Sequence, residues 1–275
     1  VPGLKELYMS DIHLGNAYAD TLTMIELLER AKLAECPDGR CIKEIVLNGD
    51  VLDGIEKYRT QSYKQYPQTL SLQRQMLKWL IELLSHEFPE AKIVLVLGNH
   101  EQDFRGVIFD PEDLQKIYQQ VKVVEYYRSG LGMLHVHQLG RSVRFGGSAG
   151  WTPNSVMHAL SSIAGYRESK GRYVAGLVTG HVHKNLAILL ARRFYLILLP
   201  SFLRPPMSAP TGDMYYPAIV VAERNQDSFK FGVYSKEFNE LDAIMQFNTR
   251  LVSQIQADHK KITSLDKVKR LARGL

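Results

Sequence analysis

Leu4-Lys5-Glu6-Leu7-Tyr8-Met9-Ser10-Asp11-Ile12-His13 joins a short apolar-rich run to two ligand-type side chains one residue apart. Residues 4–9 predict a buried strand, and the polar cluster falls at its carboxyl end. The unit recurs: residues 44–47 run into Asn48-Gly49-Asp50, and residues 92–97 into Gly98-Asn99-His100-Glu101. Amphipathic stretches over 21–34 and 68–86 predict the helices between these strands. Strand and helix in alternation describe a sheet layered by helices, and carboxyl ends of strands are where such sheets build sites.

Working outward, residues 133–137, 142–145, 175–179, 186–190 and 194–199 predict further strands in a more antiparallel second half, with a helix over 153–166. Residues 217–222 and 229–234 predict a closing hairpin turning at 224–227. Beyond it the pattern changes. Leu241, Ile244, Leu251, Ile255, Ile262 and Leu265 recur at close to a seven-residue period, which predicts one long helix or two. Asn248 and Asp258 interrupt the stripe, so the segment should pack on the protein's own surface or on a partner rather than form an autonomous coiled coil. A main domain over 1–237 and a helical tail over 238–275 follow, and a homo-oligomer through the tail helix is one way to cover its stripe.

Composition narrows the class. In 275 residues, 45% are hydrophobic and 23% charged, with no repeated tract, which excludes disordered, collagen-like and solenoid chains. The longest apolar runs, 93–97 and 186–191, fall far short of the roughly 20 residues of a membrane-spanning helix. Val1-Pro2-Gly3 leads into charge without an apolar signal core, which reads as cytoplasmic. Cys36 and Cys41 flank a Pro-Asp-Gly turn, too few to staple a chain of this size, and read as free thiols. Of the net charge of +5, residues 256–275 carry +4. That is either a solvated helix face or a contact for nucleic acid or an acidic surface.

The polar clusters contain Asp11, His13, Asp50, Asn99, His100, His137, His181 and His183, and successive clusters are 37, 49, 37 and 44 residues apart. Each gap can hold a crossover that returns the chain to the same sheet edge. Alternate residues of Asp-x-His and His-x-His project the same way from an extended segment, so each pair can converge on one point. Carboxylate, carboxamide and imidazole together suit manganese, iron or zinc. Asp11-Ile12-His13, Gly49-Asp50-Val51-Leu52-Asp53, Gly98-Asn99-His100-Glu101, the lone His137 and Gly180-His181-Val182-His183 resemble, in order, the signature of the calcineurin-like metallophosphoesterases. The match runs from about residue 4 to residue 200.

The resemblance implies an α/β fold in four layers, two mixed β-sheets packed face to face and flanked by helices, with the tail as a C-terminal helical extension. It implies two divalent transition-metal ions, manganese first, with iron, zinc, nickel and cobalt as alternatives. Asp11, His13 and His183 would hold one ion and Asn99, His137 and His181 the other, with Asp50 bridging. The implied activity is phosphoester hydrolysis by a metal-activated hydroxide, with His100 as general acid. Glu101 could accept from the His100 ring and set its tautomer, and Asp53 would support the site rather than ligate. His135 lies two residues before His137 on the same strand face, and His137, nearer the loop, is the better ligand.

For the substrate, residues 54–67 interleave Lys57, Tyr58, Arg59, Tyr63, Lys64 and Tyr66, a composition that can hold a phosphate and stack on a base. Arg59, Tyr63 and Arg105 are the candidate contacts. Phosphodiesters, phosphomonoesters, nucleic acids and nucleotides all fit, with a protein or small-molecule phosphatase as an alternative. The rival class is a non-catalytic scaffold subunit of the same fold, which has no physical need for every ligand together with His100.

Overall fold

The computed structural model describes residues 4–54, 69–102, 114, 118–137, 174–181, 183–191, 194–204, 215–225 and 228–273. Strands β1 (Lys5–Met9), β2 (Ile42–Asn48), β3 (Lys92–Val96) and β4 (Val121–Val124) are parallel neighbours. The antiparallel hairpin β10 (Ala218–Asn225) and β11 (Ser228–Ser235) extends them past β1, giving the order β11-β10-β1-β2-β3-β4 among the described residues. A second sheet has the order β5-β6-β7-β9-β8, from β5 (Tyr126–Arg128), β6 (Met133–Val136), β7 (Gly176–Thr179), β8 (Ala187–Ala191) and β9 (Phe194–Leu198). Its centre, β6-β7-β9, is parallel and only its edge strands are antiparallel, so the second half is less antiparallel than its short strands predict. The long connection over 138–173 permits the parallel return; the strand expected over 142–145 and the helix over 153–166 fall there, outside the described residues.

Period-two alternation sorts the first sheet into two faces. Leu7, Met9, Ile45, Leu47, Ile93, Leu95, Ile219 and Val221 join the core beneath α1 (Thr21–Glu35) and α2 (Leu70–Glu87). Tyr8, Val46, Val94, Val96 and Val220 pack instead against Met133, Val178, Ile197 and Leu199 of the second sheet. The chain is therefore two mixed sheets packed face to face, with helices over the outer face of the first. Asp20 starts α1 by accepting the Thr23 N–H at 2.9 Å, and Thr69 starts α2 by accepting that of Leu72 at 3.3 Å.

Beyond the hairpin lie α4 (Leu241–Asp258), a 3-10 turn (His259–Ile262) and α5 (Leu265–Ala272), following a short α3 (Asn99–Gln102) earlier in the chain. Asp258, which breaks the stripe, caps the turn by accepting the Lys260 N–H at 3.1 Å. Ile244, Phe247, Leu251, Val252, Ile255, Ile262, Leu265 and Val268 are buried, and all but Ile244 belong to the cluster that α1 and α2 form with the first sheet. Trp79 on α2 donates its indole N–H to the Ile262 carbonyl at 2.9 Å, and Lys269 pairs with Glu29 of α1 at 2.6 Å. The stripe thus covers the protein's own helices.

One expectation is corrected. Cys36 and Cys41 are joined as a disulfide, not free: Cys36 ends α1, the Gly39 N–H closes a turn on the Cys36 carbonyl at 2.8 Å, and the two Cα atoms come within 5.6 Å. Two cysteines are too few to staple a chain but enough to close a local turn.

Because Phe247 sits fully buried between tail and domain, Phe247→Ala should cost about 3–5 kcal/mol of stability, read by urea denaturation. A single cooperative transition with a lowered midpoint is expected. An early transition involving the tail alone would show that the tail folds separately.

Candidate metal centre

The loops after β1 and β2 are laced together by their backbones. Asp11 N donates to the Gly49 carbonyl at 3.0 Å, His13 N to that of Asp50 at 2.9 Å, and Asp53 N to that of Leu14 at 3.0 Å. Side chains that leave such loops inward need unusual backbone. Asp11, His13, Asp50, His181 and His183 all have positive φ, between 47° and 74°, and are the non-glycine residues with that conformation among those described. Each is held against the steric preference of L-residues, a form of strain that gathers at functional sites. Two glycines make room. Gly49 has φ 84° and a Cβ there would overlap the His137 imidazole, while a Cβ on Gly180 would overlap Ser10 and the Asp11 carboxylate.

Three imidazoles are aimed by their Nδ1–H groups. His13 donates to Asp53 Oδ1 at 3.1 Å, His137 to the Asn48 carbonyl at 2.7 Å, and His100 to the Asp53 carbonyl. Each ring then turns Nε2 inward. His13 Nε2 lies 3.1 Å from His183 Nε2, which is 3.3 Å from Asp11 Oδ1. His137 Nε2 is 3.0 Å from Asp50 Oδ2, without hydrogen-bond geometry, and 3.9 Å from Asp11 Oδ1. His181 Nδ1 is 4.0 Å and His100 Nε2 3.9 Å from Asp50 Oδ2. Two donor sets result, Asp11–His13–His183 and Asp50–His137–His181, with donor atoms within 4.8 Å of one another in each. A third such set, His13–Asp53–His100, is already joined by hydrogen bonds. Asn99 opens α3, half-buried, just before His100, whose backbone N–H donates to Asp50 Oδ1 at 2.9 Å.

Burial works against the charges of Asp11 and Asp50, but the surrounding imidazoles together outweigh it, His137 and His183 at Asp11 and His137, His181 and His13 at Asp50, and hold both carboxyls below the usual range, Asp50 well below. Burial would likewise lower His137, yet Asp50 and Asp11 beside it push it up to about 10. Two buried carboxylates thus demand positive charge, and imidazole nitrogens face each other at a separation where a proton serves only one. This chemistry fits divalent cations of the borderline type.

Glu101 departs from expectation. It makes no bond to the His100 ring; its carboxylate accepts the backbone N–H groups of Asp50, Leu52 and Gly98 at 3.0, 2.9 and 2.8 Å. Burial, with Asp50 nearby, raises its pKa. Asp53 instead reaches His100: its carbonyl accepts that ring's Nδ1–H while its carboxylate accepts that of His13. His135 stays out of the centre: it is fully buried between the sheets, edge-on to Tyr8, and burial lowers its pKa to about 3. Arg59, Tyr63 and Arg105 lie outside the described residues.

Motif reading passed over three side chains. Ser10 donates to Asp11 Oδ2 at 2.5 Å and also contacts the Asn48 carbonyl at 2.7 Å. Ser201 donates to the Asp11 carbonyl at 2.9 Å, and the Tyr215 ring lies 6.4 Å from that of His183. Ser10 and Ser201 were findable, since both follow strands at the sheet edge that carries the other clusters.

Fold and donor set define an α/β protein with a candidate metal-binding cluster at the carboxyl ends of its strands. The chain matches the calcineurin-like phosphoesterases over residues 5–185 and belongs to that family. No curated protein matches its sequence. Among solved structures it is similar to a dimetal phosphatase from Danio rerio, at 12% identity and TM-score 0.46, over 86% of this chain and 98% of that one. It is also similar to Vps29 of Entamoeba histolytica in complex with zinc, at 16% identity and TM-score 0.42, over 86% and 100% of the two chains. Vps29 of Chaetomium thermophilum is similar at 10% identity and TM-score 0.45, over 85% and 95%.

The His137 shift gives a test in metal-free protein. With its folded pKa raised to about 10 from 6.5, its stabilising contribution is complete below 6.5 and is lost as pH rises through about 10. After chelation the melting temperature should fall between about pH 7 and about pH 10. Asp50→Asn, which removes the main partner, should flatten that fall; an equal fall in both proteins would contradict the coupling.

Proposed function

We propose that the chain is a metal-dependent phosphoesterase whose two divalent ions sit where the ends of β1, β2, β3, β6 and β7 converge. The observation that carries this reading is the pairing of two donor sets around Asp11 and Asp50, with every member but His137 on left-handed backbone. Asp11, His13 and His183 would hold one ion, and Asn99, His137 and His181 the other, with Asp50 shared; manganese is the first choice. When bound, such ions supply Lewis-acid stabilisation of phosphoryl oxygens and a nucleophilic water near neutral pH.

The chain's own residues supply orientation and a proton. Asp53 keeps the Nδ1–H of His100 on its carbonyl. A protonated His100 can therefore release its Nε2 proton to the leaving alkoxide without turning. The same Asp53 fixes His13 through its carboxylate, so one residue aims both an ion ligand and the acid. Glu101 ties the loop after β2 to that after β3 through three backbone N–H groups, which holds Asp50 and His100 in register. Phosphodiesters and phosphomonoesters both fit, and the Lys/Tyr/Arg composition of 57–66 with Arg105 supports a nucleotide or nucleic-acid substrate.

The test is turnover of a model phosphodiester, a model phosphomonoester and single- and double-stranded DNA by manganese-loaded protein. At least one should be hydrolysed. Asp50→Asn should abolish turnover, whereas His100→Ala should keep its metal and slow turnover roughly 100-fold or more, most for poor leaving groups. Equal slowing of nitrophenyl and alkyl esters would refute the proton donor. A metal-loaded chain inert toward every ester would favour the scaffold.

A further inference from the structure

Asn248 interrupts the apolar stripe of α4, and its surroundings give the interruption a purpose. The residue is 4% exposed, between Phe247, Leu251 and Val252, all buried. Its Nδ2 donates to the Ala19 carbonyl at 2.9 Å and reaches that of Ala17 at 3.5 Å, while its Oδ1 has no hydrogen-bond partner. A half-satisfied amide in an apolar layer is a poor choice for packing alone, since an unpaired buried acceptor costs about 1–3 kcal/mol. What it secures is the loop over 14–20, which follows directly on His13.

That loop leads back to the centre by bonded steps. Asn16 N donates to the His13 carbonyl at 3.0 Å, and Ala19 N to the Asn16 carbonyl at 3.1 Å. Asn16 Nδ2 donates to Asp53 Oδ1 at 3.1 Å, the same oxygen that accepts His13 Nδ1–H. A second tail residue grips the loop's far end: Asn239 N donates to Asp20 Oδ2 at 2.7 Å and its Nδ2 to Asp20 Oδ1 at 3.2 Å. Resting on the metal-centre reading above, we propose that Asn248 is a positioning residue for that centre: from α4 it fixes the loop over 14–20, and through Asn16 and Asp53 it sets the aim of His13 Nε2. The tail is then part of the site's support.

The test is titration of the intact, metal-free chain with manganese(II), with free ion read by electron paramagnetic resonance. Two equivalents should bind to wild type. In Asn248→Ala one equivalent should weaken by about tenfold or more, the usual effect of losing support behind a ligand, with the other unchanged. Asn248→Gln, which keeps an amide donor, should restore part of the loss. Val252→Ala, a cavity on the same buried helix face, controls for general loosening and should leave both equivalents as in wild type. Wild-type binding by Asn248→Ala, or equal weakening of both equivalents there and in Val252→Ala, would overturn the proposal alone. A wild-type chain that binds no manganese would overturn the phosphoesterase reading together with it.

Discussion

Asp11 and Asp50 stand side by side with their carboxylates almost wholly buried at the ends of adjacent parallel strands, and the charge they carry governs what surrounds them. An isolated carboxylate in such a place would take up a proton rather than stay ionised. Here both stay ionised, because His137 stands between them and the rings of His181 and His183 close the other sides. The buried Glu101 carboxyl instead accepts from three backbone N–H groups. The positive φ at five converging residues is the structural cost of crowding these groups, and the strand ladders and laced loops hold that strain in place.

Rigidity reaches the centre from two cores. One face of the first sheet is pinned by α1, α2 and the tail helices, the other by the second sheet. Strand ends that emerge between two packed layers have little freedom. That suits a site whose donor atoms must meet within a few ångströms, and it helps hold the left-handed donors in place. It also gives α4 a task beyond filling a groove, since the loop it grips follows directly on His13.

Much of this was legible in the sequence, for identifiable reasons. Strands β1, β2 and β3 are short apolar-rich runs ended by polar clusters, so their positions follow from the sequence to within about two residues. The donors of the centre follow from the recurrence of polar clusters at strand ends. What sequence could not carry is conformation and partner choice. Asp11 or His183 in a left-handed conformation leaves no trace in composition. Glu101 stands next to His100, and adjacency suggested a bond between them; the α3 turn instead sends its carboxylate to the backbone of the neighbouring loop. His135 and His137 share a strand face, but that face descends into the inter-sheet core before reaching the open edge, so two residues divide a core histidine from a donor. Cys36 and Cys41 are too few to staple the whole chain, while the Pro-Asp-Gly turn between them acts locally.

Diffraction from crystals grown with manganese, with anomalous scattering recorded to locate the ions, tests the central claim most directly. Two anomalous peaks per chain are expected, one among Asp11, His13 and His183 and one among Asn99, His137 and His181, with Asp50 reaching both. One peak, none, or ions placed away from these side chains would contradict the account.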